Sequence, residues 1–126
     1  MDYSSEVRRR FSAPARAGEI SLDAGDVVEG AAEDRSLSVW VRFQVQLQGA
    51  MIERVRYRAY GCPHTLAAAD CIAGALEGQS MDALINIDLQ AVARQIELPR
   101  EKHGKLLRIE DALADCYRQA KQEHQR

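Results

Sequence analysis

From Leu37 to Leu47 every second residue is apolar: Leu37, Val39, Val41, Phe43, Val45 and Leu47 alternate with polar or amphipathic neighbours, and Val55, Tyr57 and Ala59 resume the pattern after Gly49. Strand side chains point alternately to the two faces of a sheet, so this period of two predicts a hairpin with one buried face and strands near 36–48 and 51–60. The hairpin stops at Tyr60-Gly61-Cys62-Pro63, and a stretch rich in alanine and leucine runs from Thr65 to Leu76. That stretch predicts a packed helix near 64–77. Proline suits its first turn, because the missing N–H would have no intrahelical partner there. The chain therefore sets a lone thiol, Cys62, where a strand gives way to a helix. Free backbone N–H groups and the positive end of the helix dipole favour thiolate over thiol at such a place. The alternative reading is a buried cysteine at a strand end.

The remaining segments extend this frame. Ser4 or Ser5 caps a short helix through Phe11, with Glu6 favourable in its first turn. Residues 14–25 read as a loop containing Pro14, Gly18 and Gly25, 26–29 as a short edge strand, and 88–96 and 101–123 as helices. Antiparallel strands followed by a run of helices predict an α+β fold: a small antiparallel sheet of about three strands packed against helices, with a long C-terminal helix. One domain is expected over residues 1–126, since a chain of this length with 46% hydrophobic residues can bury a workable core. Cys116 continues the stripe Leu106, Ile109, Leu113, Ala120, and Cys71 shares a face with Ala67, Ala68 and Ala75, so both read as core. An odd number of cysteines without a secretory signal favours reduced thiols. The net charge of -2 gives no general attraction to nucleic acid or anionic membrane, and neither is expected as a partner. Arg42, Arg54, Arg56 and Arg58, with Trp40, read as a solvated outer sheet face, and Arg8-Arg9-Arg10 as a solvated helix face. With no leader and no apolar run of membrane-spanning length, a soluble cytoplasmic protein is the expectation.

Four segments in order carry a family likeness: Tyr3-Ser4 with Val7, Pro14 and Gly18; Glu77-Gly78-Gln79-Ser80-Met81-Asp82; Glu97-Leu98-Pro99-Arg100-Glu101-Lys102; and Glu110-Asp111-Ala112. They resemble the "YS…V…P…G", "xGKSLDE", "ELPPVK" and "EDA" segments of the IscU/NifU N-terminal family of iron–sulfur cluster assembly scaffolds. The resemblance implies a working site of three cysteines and an aspartate. Cys62 and Asp34 match that pattern. The family's "ACGD" reads Ala31-Ala32-Glu33-Asp34 here, so the first cysteine position is Ala32. Its "KIHC" reads Lys102-His103-Gly104-Lys105 in an ungapped alignment, so the third is Lys105. A shift of one residue would make His103 the family histidine. His64 could reach the same pocket as a ligand or as a proton partner for the thiol, or face solvent at the helix start. Asp34 could equally be a solvated loop residue.

What the resemblance implies is a scaffold-like protein with a reduced ligand set, accepting sulfur, iron or both at Cys62, and with no turnover chemistry of its own. A cysteine desulfurase is the implied sulfur donor. Iron, an iron–sulfur cluster or zinc is an implied cofactor. With two thiolate positions lost, the isolated monomer falls short of the four ligands that a stable cluster takes, leaving His64, His103, a second subunit or a partner to supply the rest. Lys105, if it stands beside Cys62, exchanges a ligand for a charge that lowers the thiol's pKa. The chaperone-binding segment keeps Leu98, Pro99 and Lys102 but replaces its second proline and valine with Arg100 and Glu101, so chaperone binding is expected to be weak or absent. Two other readings remain open: a metal-free regulator that docks to a desulfurase or chaperone, and a thiol-transfer enzyme that would lack a nearby resolving cysteine.

Overall fold

The computed structural model describes residues 3–21, 23 and 25–124, with side chains through residue 122. Helix α1 (Ser5–Ser12) precedes strands β1 (Asp26–Asp34), β2 (Val39–Gln48) and β3 (Met51–Tyr60). Helices α2 (Pro63–Leu76), α3 (Ala83–Asn86) and α4 (Leu89–Gln95), a 3-10 turn (Arg100–Lys102) and α5 (Gly104–His124) follow. The strands form one antiparallel sheet in the order β1-β2-β3, so the α+β expectation and the long last helix hold.

Alternation places Val41, Phe43, Val45 and Val55 on the covered face, all fully buried. Helix α2 lies within the layer of helices, and ten of its fourteen residues are buried, which is why it shows no polar stripe. Helix α5 packs Leu106, Ile109, Leu113, Cys116 and Ala120 inward, and Cys71 is buried as well, as read from the sequence. Its approach to β1 is unusually close. A Cβ on Gly30 would run into the carbonyl oxygen of Ala112 and stand 2.7 Å from the Cys116 amide nitrogen.

Two expectations are corrected. Strand β1 runs to Asp34 rather than stopping at residue 29, with Ala32 opposite Val41 and Asp34 opposite Val39. Arg10 is not solvated: its Nη1 lies 3.0 Å from Asp70 Oδ2, and Asp70 is only 1% exposed. The same carboxylate accepts from the Arg16 amide at 2.9 Å and the Tyr57 hydroxyl at 3.3 Å. The outer arginines keep partly exposed side chains, as expected of that face, while pairing with acidic groups, Arg42 and Arg58 with Glu19, and Arg56 with Glu77. Of the ties on α1, the Ser4 cap, which accepts from Val7 at 3.1 Å, contributes about 1 kcal/mol. Stranding the Asp70 charge would cost about 3–5 kcal/mol, so the buried pair dominates the docking of α1.

From Ile52 to Tyr57 the free edge of β3 is closed within the chain. Ile52 exchanges hydrogen bonds with Gly78 and Gln79, the Val55 amide donates to the Glu77 carboxylate at 2.9 Å, and Tyr57 pairs with Arg16 and Gly18.

Gly30→Ala removes some unfolded-state freedom, worth about 0.4–1 kcal/mol in its favour, but forces α5 off the sheet. Overpacking of this kind typically costs about 1–3 kcal/mol, so a net loss is expected, read as a lower urea midpoint at unchanged slope. An unchanged or higher midpoint would show that α5 is free to move.

Candidate functional site

At the end of β3, Gly61 lets the chain turn tightly into α2, since a Cβ there would stand 3.2 Å from the Thr65 side chain. Cys62 takes the N-cap position in extended conformation (φ -77°, ψ 166°), and Pro63 opens the helix. The Cys62 carbonyl accepts from the Thr65 and Leu66 amides at 3.0 and 3.3 Å, which fixes the first turn.

Its sulfur has two polar neighbours among the described residues. Lys105 Nζ donates to Sγ at 3.0 Å, and Thr65 Oγ1 lies 3.7 Å away. Partial burial pushes the thiol up. The Lys105 hydrogen bond, the Thr65 amide and hydroxyl, and the Lys105 charge together outweigh it and bring the pKa from an ordinary 9.0 down to about 7. Half the thiol is therefore thiolate near neutral pH. Lys105 sits in the first turn of α5, where the helix dipole disfavours a cation. The thiolate offsets that disfavoured placement.

Ala32 and Asp34 lie on the covered face at the same end of the sheet but one strand away from this junction, because β2 carries Val39 to Val41 between them and Ala59-Tyr60. The Asp34 carboxylate is turned into its own loop: Oδ1 accepts from Ser36 Oγ at 2.6 Å and from the Leu37 amide at 3.2 Å. These bonds, Ser36 foremost, hold its carboxyl below the usual range against a smaller effect of burial, and Arg108 on α5 adds to them.

The structure does not gather the two histidines at the sulfur. His64 is 2% exposed, which overturns its reading as a solvent-facing residue. Its ring packs on Tyr3 at 4.8 Å between centroids, and its Nδ1 is buried without a hydrogen-bond partner among the described residues. Burial first, then the charges of Lys102 and Lys105, pushes its pKa down, so the imidazole is neutral at pH 7. His103 places Nε2 3.1 Å from the Leu98 carbonyl oxygen and lines a hollow with Ala93, Arg94 and Glu97. Lys105, rather than His103, meets Cys62, the arrangement of the ungapped register. Among the described residues no group of three or more His, Cys, Asp or Glu side chains is placed to hold a metal ion.

Thr65 and Arg108 were not singled out from sequence. The signal for Thr65 was its position three residues after an N-cap, the spacing at which a side chain reaches back to the cap. Arg108, one turn beyond Lys105, gave none.

Comparison with known proteins agrees with this frame. Residues 2–124 match the family model described as NifU-like N terminal domain. The iron-sulfur cluster assembly scaffold protein IscU of Escherichia coli is 25% identical over 114 residues, 90% of this chain and 89% of that protein. The bifunctional protein NifU/MnmA of Rubrobacter xylanophilus is 32% identical over 115 residues, 88% of this chain but 23% of the larger protein. The crystal structure of a NifU-like N-terminal domain from Brucella abortus superposes with a TM-score of 0.72 at 15% identity, covering 94% and 93% of the two chains, and so shares the fold.

Lys105→Met should return the Cys62 pKa to about 9 or above, because burial then opposes ionisation with less compensation. The pH dependence of alkylation by iodoacetamide reads this directly. A midpoint still near 7 would mean that Lys105 does not set it. Because the folded thiol ionises below its ordinary 9.0, the ion pair should stabilise the fold fully above pH 9 and lose that contribution as pH falls through about 7.

Proposed function

The chain belongs to the family of NifU-like N-terminal domains, and from that premise we propose that it serves iron–sulfur cluster assembly as a sulfur acceptor at Cys62 rather than by holding a cluster alone. The observation that carries the reading is the 3.0 Å contact between Lys105 Nζ and the Cys62 sulfur. It converts a ligand position into a means of keeping a nucleophilic thiolate at neutral pH.

The donor we propose is a cysteine desulfurase carrying a persulfide, the partner that likeness to IscU-type scaffolds implies. The Cys62 thiolate attacks the outer sulfur, a new S–S bond forms, the old one breaks, and the desulfurase cysteine leaves as thiolate with the electron pair. No oxidant is consumed. Lys105 then faces a persulfide anion in place of a thiolate, so the charge pairing survives the transfer.

The residues present do not fit a cluster held by one chain. A 2Fe–2S cluster takes four ligands, mostly thiolates. Here the first matching position offers the methyl group of Ala32, the third offers ammonium hydrogens, and Asp34 is engaged by Ser36 and Leu37. The chaperone-loop remnant points the same way. Leu98 is buried with its amide on the Ala93 carbonyl, and Arg100–Lys102 form a 3-10 turn instead of an extended peptide for a groove.

Mixing the protein with a cysteine desulfurase and cysteine should place a persulfide on Cys62, seen by mass spectrometry and lost in Cys62→Ser. Tight desulfurase binding with no sulfur reaching Cys62 would favour the regulator reading instead. Anaerobic reconstitution with iron and sulfide should give little stable cluster, and the double variant Ala32→Cys with Lys105→Cys should raise the yield. A full, stable cluster on the unaltered monomer would sink the proposal that the site is degenerate.

A further inference from the structure

The chain's cations are nearly all arginines. Of its 17 basic residues only Lys102, Lys105 and Lys121 are lysines, and one of these, Lys105, stands in the first turn of α5 beside the thiol. An amine differs from a guanidinium in one chemical respect that matters here: it can lose a proton and become a nucleophile. Lys105 Nζ lies 3.0 Å from Cys62 Sγ. A carbonyl carbon bonded to that sulfur is therefore within reach of the same amine, so a rotation about the side-chain bonds can bring the two to a near-attack distance of about 3–3.5 Å. Both side chains are partly exposed, so a small electrophile can reach them.

We propose that Cys62 and Lys105 form a self-acylation site for acyl thioesters, in which Cys62 captures the acyl group and Lys105 receives it as an amide. In the first step the thiolate attacks the thioester carbonyl, a C–S bond to Cys62 forms, the donor's C–S bond breaks, and the donor thiolate leaves with the electron pair. Acylation neutralises the sulfur and ends its ion pair with Lys105, whose ammonium passes one proton to solvent before it attacks. In the second step the amine attacks the same carbonyl, a C–N bond forms, the C–S bond breaks, and Cys62 leaves as thiolate. The remaining amine proton passes to the sulfur or to solvent. No electrons are gained or lost by either residue overall.

The product differs from the starting site by one charge. Cys62 is free again, but the cation that favoured its thiolate has become a neutral amide, and partial burial now pushes the thiol up with less opposition. If Cys62 accepts sulfur as proposed above, on which this consequence rests, acyl supply would turn that acceptance down. A persulfide has no carbonyl, so sulfur transfer does not set off the second step.

The test is to incubate the full chain with acetyl-coenzyme A and follow acetylation of each residue by peptide mass spectrometry, with and without hydroxylamine, which cleaves thioesters and spares amides. A hydroxylamine-labile acetyl group should appear on Cys62, followed by a stable one on Lys105, formed at least roughly tenfold faster than on Lys102 or Lys121. Lys105→Arg keeps the charge and should trap the labile adduct. Cys62→Ser, which leaves a favoured N-cap residue, should slow Lys105 to the rate of the other two lysines. Equal rates on all three lysines, undiminished Lys105 acetylation in Cys62→Ser, or no labile adduct in Lys105→Arg would each overturn the proposal. No desulfurase is present, so these outcomes are independent of the sulfur reading. Acetylated protein that still accepts persulfide at the unmodified rate would remove the link between the two and leave the acylation chemistry standing.

Discussion

The close approach of α5 to the sheet at Gly30 governs the rest of the molecule. Because that position has no Cβ, the Ala112 and Cys116 backbone can lie directly on β1. Seven residues are almost two helical turns, so Lys105 shares the face of Ala112 and lies about 10 Å nearer the start of the helix. That displacement carries its amine past the end of the sheet to where β3 releases Cys62. Backbone packing far from the sulfur thus helps to set where Lys105 meets Cys62.

Two ion pairs show how burial and charge are balanced differently in one small fold. Asp70 is almost wholly buried, and its carboxylate is satisfied by Arg10, the Arg16 amide and the Tyr57 hydroxyl, so it ties α1 and the following segment to α2. Cys62 is only partly buried and has a single cationic partner among the described residues. The first arrangement is closed to solvent and serves architecture. The second leaves the sulfur accessible, and a thiolate that is both favoured and reachable is what reactivity needs.

Much of the frame was legible because it rests on periodicity. The hairpin showed as a period of two and α5 as spacings of three and four. Strand β1 beyond Glu29 did not, because Ala31-Ala32-Glu33-Asp34 carries little strand propensity of its own and is held by the register opposite Val39 to Arg42. Leu37 fitted the alternation yet lies 43% exposed, since the chain turns between Asp34 and Val39 through Ser38 at φ +53°. Arg10 with Asp70, 60 residues apart, and the burial of His64 under Tyr3 are products of tertiary packing with no local trace. At the site, composition and spacing pointed to Cys62 alone. That Lys105 could stand near it came through family likeness, and the distance came only from the fold.

The closure of the β3 edge decides how a partner can recognise this protein. From Ile52 to Tyr57 the outward backbone groups are already engaged, by Gly78 and Gln79, by Glu77, by the Arg56 side chain on the Val55 carbonyl, and by Arg16 and Gly18. A visiting peptide therefore has no run of unpaired backbone groups there along which to extend the sheet as an added strand. Recognition along that side must be written in side chains, whose identity one substitution can change, rather than in main-chain pairing that any sequence can offer.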